Sequence, residues 1–169
     1  CPDPKKREER RYAAMMISTK GRYALRVMLD LAQHRDEGYI SLKTVAERQD
    51  TSMKYLEAIV AQLNRAGLLD SQRGKTGGYR LAKDPSACTV GEILKESEGS
   101  LAPVACLTCE ESSCDRIDHC LTLPMWKQLD KLIEDYLDSV TLSDLLEKKL
   151  PNPCFGCSAA KSRKEDTEQ

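Results

Sequence analysis

The chain has 169 residues, 40% hydrophobic and 31% charged, with a formal net charge of −1. That balance suits a soluble globular protein, and no apolar run approaches the roughly 20 residues a bilayer span requires. The first fifteen residues, CPDPKKREERRYAAM, lack the apolar core of a secretory signal, so the eight cysteines of the chain are expected in a reducing cytoplasm, where they suggest metal or redox chemistry before structural disulfides.

The charge is unevenly spread. Residues 16–80 carry 11 basic and 7 acidic side chains, whereas residues 81–150 carry 7 basic and 14 acidic ones. A basic first half and an acidic second half suggest that only the first meets a polyanion, although two differently decorated solvated faces give the same count.

In chain order, residues 1–14 read as a flexible charged leader and Met15-Met16 as the start of the folded part. Ser18 can cap a helix to about Gln33, with Tyr23, Leu25, Val27, Met28, Leu29, Leu31 and Ala32 forming a broad apolar face. Ser41 can cap a short helix from Leu42 to about Arg48. Thr51 or Ser52 can cap a third from Met53 to Ala66, with Tyr55, Leu56, Ile59, Val60 and Leu63 inward and Gly67 as its left-handed stop. Leu68-Leu69, RGKTGG and YRL follow, which read as two short strands around a glycine turn. Thr89-Val-Gly-Glu92 has the form of a capping box opening a helix to about Glu98. Pro124 suits the first turn of a long helix to about Val140, with Met125, Leu129, Leu132, Ile133, Tyr136, Leu137 and Val140 three and four apart. Thr141 caps a last short helix, and residues 150–169 read as a flexible tail.

Three helices followed by a hairpin with a basic tip is the order of a winged helix-turn-helix. The expected fold is therefore mainly α with a small β-hairpin wing, plus a long further helix. In such a motif the second helix of the pair lies in the major groove with its first turns against base edges. Ser52, Lys54, Tyr55 and Glu57 occupy those turns. Lys54 suits phosphate or guanine, Ser52 suits phosphate and Glu57 can accept from a cytosine amino group, while Tyr55 can instead belong to the core. Arg73 and Lys75 flank the glycine turn, where they can touch backbone or a minor groove. Arg22 on the first helix completes the candidate set for double-stranded DNA.

The segments MMISTKGRYALRVMLDLA, SLKTVAERQDTSMKYLEAIV, LNRAGLLDSQRGKTGGYRLAKDPSACTVGEIL and YLDSVTLSDLLE resemble the Rrf2 family of bacterial winged-helix repressors, which includes IscR, NsrR and RirA. The resemblance runs from about Met16 to Lys148. It implies a homodimer, with the helix from Pro124 to Val140 packed on its partner, that binds a palindromic promoter site. The domains expected on this basis are a winged helix-turn-helix over 15–98, a cysteine-rich loop over 99–123, and a dimerisation helix with a C-terminal helix over 124–149.

The resemblance also gives meaning to residues 106 to 123, CLTCEESSCDRIDHCLTL. Cluster-binding members carry three cysteines before the long helix, and the match places Cys114 and Cys120 on the second and third. Cys106, as in the RirA-like spacing, or Cys109, closer to the IscR-like one, supplies the first. The implied cofactor is an iron–sulfur cluster, 2Fe–2S or 4Fe–4S. Leu123 stands where IscR-like proteins have a histidine, and Arg22 where NsrR-like proteins have an aspartate. The fourth ligand is therefore open between Cys109, His119 and a residue of the other subunit. The alternatives are an uncommitted cysteine-rich loop, a cluster-free regulator answering to a protein partner, and a zinc site built from Cys106, Cys109, Cys154 and Cys157. Cys154 and Cys157 can also form a reversible dithiol/disulfide pair. Cys88 reads as a small, partly buried residue, and His34 as a helix-end residue with a structural role. No cysteine is paired with an activating histidine and an orienting group, so an enzyme is not expected.

Overall fold

Serine hydroxyls set the start of each of the first three helices. In the computed structural model, which describes residues 17–74, 77–108 and 117–151, Ser18 Oγ accepts from the N–H groups of Lys20 and Gly21 and opens α1, Thr19–Gln33. Ser41 caps α2, Leu42–Arg48, through Thr44 N–H, and Ser52 caps α3, Met53–Arg65, through Tyr55 N–H. Each cap satisfies amides that the helix itself leaves unpaired. Between α2 and α3 the chain reverses at Gln49, Asp50 and Thr51. Asp50 adopts a φ of 47°, a left-handed conformation that aspartate tolerates better than most side chains.

After α3 and Gly67 (φ 74°), β1 (Leu69–Gln72) and β2 (Gly78–Leu81) pair antiparallel, Leu69 opposite Leu81 and Gln72 opposite Gly78. Ile40, just before α2, adds an isolated bridge to Tyr79, with N–H to O distances of 2.9 and 2.8 Å in the two directions. This contact needs glycine at 78, because a Cβ there would run into the Ile40 carbonyl.

Thr89 caps α4, Val90–Glu98, by accepting from Glu92 N–H. The reciprocal half of the expected capping box is not made: the Glu92 carboxylate instead accepts from Lys83 Nζ at 2.6 Å. The complete box belongs to the last helix, where Thr141 and Asp144 cap α6, Leu142–Glu147, in both directions. Before it runs α5, Leu123–Ser139, which begins one residue earlier than expected and so puts Pro124 second, still in the turn where a missing N–H costs nothing.

One core is shared by α1, α2, α3, the hairpin, α4 and α6, and is built from Val27, Met28, Leu31, Val45, Leu56, Ile59, Leu63, Leu68, Leu69, Ile93 and Leu142. A smaller cluster of Val90, Leu94 and Val140 joins α4 to the end of α5. The fold is a winged helix-turn-helix followed by a long helix, as expected.

Candidate nucleic-acid interface and cysteine loop

The inward side of α3 is closed by Leu56, Ile59, Val60 and Leu63, so its outward side is fixed by the helical repeat as Lys54, Glu57, Ala58, Ala61 and Arg65, all exposed. Among the described residues no ion pair engages Lys54, Glu57 or Arg73. Ser52 is exposed and uses its oxygen as acceptor for the α3 cap, which leaves its hydroxyl proton available to a phosphate. Tyr55 is half-buried. Its ring meets Tyr23 edge-on, with centroids 5.5 Å apart and planes at 89°, so the ring is held by core packing. Arg22 is exposed on the first turn of α1 and donates to Thr19 Oγ1 at 3.2 Å. Arg73 is exposed just past β1, while Lys75 lies outside the described residues.

A polar network that the sequence did not announce holds this surface. Asp30, on the inner side of α1 and 3% exposed, accepts from Arg48 Nη2 at 2.8 Å and from Gln49 Nε2 at 3.2 Å. Gln49 in turn accepts from Arg26, whose guanidinium also lies 4.7 Å from the Tyr23 ring centroid. The buried carboxylate thus fastens α1 to the last residue of α2 and to the turn before α3. The available signal was an acid placed between Leu29 and Leu31 on an otherwise apolar helix face, which demands a cationic partner somewhere in the fold.

Beyond Gly99 (φ 81°) the chain enters the cysteine loop. Cys106 sits in a single 3-10 turn, Ala105–Leu107, and Cys120 follows another, Ile117–His119, three residues before α5 begins. Both thiols are half-buried and free, and His119 is exposed. The Thr122 hydroxyl, 3.4 Å from Cys120 Sγ, together with the Thr122 and Leu123 amides, draws that thiol below its ordinary range, favouring the thiolate that metals bind. Cys109 and Cys114 lie outside the described residues, as do Cys154 and Cys157. Among the described residues no group of three or more His, Cys, Asp or Glu side chains is placed to hold a metal. Cys88 is separate from the loop. It is 2% exposed, and burial raises its thiol to about 11, the profile of an inert core residue. His34 closes α1 with Nδ1 2.8 Å from the Asp30 carbonyl, a structural role.

A hairpin-bearing helix-turn-helix with cationic groups on the exposed side of its second helix defines a winged-helix DNA-binding protein. The sequence model of the Rrf2 family, described as an iron-dependent transcriptional regulator, matches residues 17–148, and the chain belongs to that family. It is a DNA-binding transcriptional regulator. It is 38% identical over 135 residues to the HTH-type transcriptional regulator IscR of Yersinia enterocolitica, which covers 80% of this chain and 81% of the relative. Among solved structures it resembles that of CymR, the global cysteine regulator of Bacillus subtilis (40% identity, TM-score 0.64, 79% of this chain and 97% of that one). It also resembles that of T. potens IscR (43% identity, TM-score 0.62, 78% and 85%). No helix among the described residues is long and apolar enough to cross a membrane.

Proposed function

We propose that the protein is a homodimeric repressor that reads a palindromic promoter site through α3 and the hairpin tip, and that an iron–sulfur cluster held by Cys106, Cys114 and Cys120 sets its affinity. The observation that carries this reading is the placing of Cys106 and Cys120. Two half-buried thiols bracket the loop, and the second is three residues from the first turn of the long helix. The donor set suits the cofactor, since thiolates bind such clusters and Cys120 is already disposed to ionise. When bound, the cluster supplies a centre that reacts with oxygen or nitric oxide, or is lost when iron is scarce. Cys120 fixes the approach to α5, Cys106 the exit from α4, and Lys54, Glu57 and Arg73 meet the DNA. The face of α5 bearing Met125, Leu132 and Tyr136 supports the dimer, because it stays exposed in the single chain.

A second reading is a cluster-free regulator, answering to a protein partner or stabilised by zinc on Cys106, Cys109, Cys154 and Cys157; the likeness to CymR, a cysteine regulator, supports its cluster-free part. Anaerobic purification separates the two. The first reading expects brown protein whose visible absorption disappears in Cys114→Ala and in Cys120→Ala. Colourless protein after anaerobic reconstitution would overturn it, and stoichiometric zinc lost on replacing Cys154 and Cys157 would establish the zinc version. For the DNA surface, Lys54→Ala and Arg73→Ala should each weaken promoter binding and lower the salt slope by about 1 where the contact is to phosphate. Unchanged binding in both at physiological salt would displace the proposed surface.

A further inference from the structure

The last turn of α4, Lys95 to Glu98, immediately precedes the cysteine loop, and polar links from three other helices converge on it. Lys95 Nζ bridges Asp138 at 3.0 Å and Glu134 at 3.4 Å, one turn apart on α5. The Glu96 carbonyl accepts from Gln62 Nε2 on α3. The Glu98 carboxylate accepts from the backbone N–H and the hydroxyl of Ser18, at 3.1 and 2.7 Å, the residue that caps α1. Ser97 between them is buried and donates to the Leu94 carbonyl at 3.1 Å, so the turn has little internal slack.

The attachment of α5 is lopsided. Its C-terminal end is pinned by backbone: Val90 N–H donates to the Val140 carbonyl at 2.8 Å, and Leu142 N–H to the Cys88 carbonyl at 3.0 Å. Gly91 lets the helices approach so closely there that a Cβ would run into the Asp138 carboxylate. The other end, about 24 Å away along 17 residues, carries Cys120 and the loop. A displacement at the loop end therefore tilts α5 about Val140, and Lys95 takes up the movement.

We propose that this turn is the joint that passes the position of α5 and the cysteine loop to the DNA-reading surface, with Gln62 and Glu98 as positioning residues for DNA binding. Gln62 lies two turns along the same rigid helix from Lys54, so a pull on its amide tilts the reading face. Glu98 acts through Ser18 on the first turn of α1, which bears Arg22. The inference rests on the loop being the sensing element, but the joint itself requires no metal.

Two measurements on the full chain test it. In metal-free protein, Lys95→Met keeps the aliphatic stem and removes the clamp. Amide hydrogen exchange should rise, about threefold or more, near Gln62 in α3 and in the first turn of α1, while α2 and the hairpin stay as they were. A change confined to α4 and α5 overturns the joint. With reconstituted protein, Gln62→Met should retain the visible absorption and thermal midpoint of the wild type. Its ratio of promoter affinities between cluster-loaded and metal-free forms should fall to within about twofold of unity. A full wild-type ratio in that variant overturns the role of Gln62. Wild-type protein that takes up no cluster defeats the cofactor reading instead, and the exchange experiment still decides the joint.

Discussion

Asp30 is the buried charge that anchors the turn before α3, and with it the proposed reading surface. Its carboxylate is buried and joins Arg48 and Gln49, 18 and 19 positions further on, while Arg48 remains about a quarter exposed. Removing the acid strands a guanidinium that water can only partly recover, so Asp30→Ala should cost about 3 kcal/mol, at the lower end for broken buried pairs. Urea unfolding measures this, and a loss below about 1 kcal/mol would mean that the pair is effectively solvated. The same variant should bind promoter DNA more weakly, because the turn before α3 loses its anchor. The sequence carried only half of this network: an acid on the apolar face of α1 calls for a cation, but Arg48 and Gln49 are chemically ordinary and only the fold brings them to it. The caps at Ser18, Ser41 and Ser52 were legible because each hydroxyl bonds an amide two or three residues away.

At the scale of elements, the same contrast between local and distant partners decides which expectations held. The glycine-rich turn and its flanking strands lie within one short stretch, Leu69 to Leu81, and the hairpin lies where it was expected. The Thr89–Glu92 box failed in one half because Lys83, nine residues upstream, offered the carboxylate a cation in place of an amide. Asp144 has no such rival, and its box with Thr141 is complete. Since α6 has only six residues, it leans on that cap and on Leu142 in the core. Thr141→Ala should lower stability by about 1 kcal/mol, read as a drop in thermal midpoint, and an unchanged midpoint would show that Leu142 alone seats the helix. The clamp of Lys95 on Glu134 and Asp138 joins residues some forty positions apart, and no pattern in α4 foretold it.

At the scale of the molecule, α5 is the element whose pattern exceeds what one chain uses. Its apolar spacing promises a buried face, yet none of its residues is buried, and Met125, Leu132 and Tyr136 are 52%, 44% and 38% exposed. Packing against a second copy would satisfy that stripe. Leu132→Glu should then shift the protein to monomer in sedimentation equilibrium and abolish tight binding to a palindromic site while leaving the far-ultraviolet helix signal intact. A variant that still sediments as a dimer would place the interface elsewhere. The proposed cysteine ligands were the least decidable part of the sequence, because spacing allows either Cys106 or Cys109 as the first.

The bridge between Ile40 and Tyr79 sets a limit on how such a regulator can respond. It ties the hairpin to the residue just before α2, and glycine at 78 leaves no room for the two to slide. The hairpin and the start of α2 therefore travel as one piece, and α3 can change only its angle against that fixed wing. In the proposed dimer, a signal can then alter that angle and the spacing of the two halves, but not the seating of the wing. An operator with one base pair inserted inside a half-site should be rejected in every state of the protein, whereas an insertion between half-sites should be rejected in some states and tolerated in others.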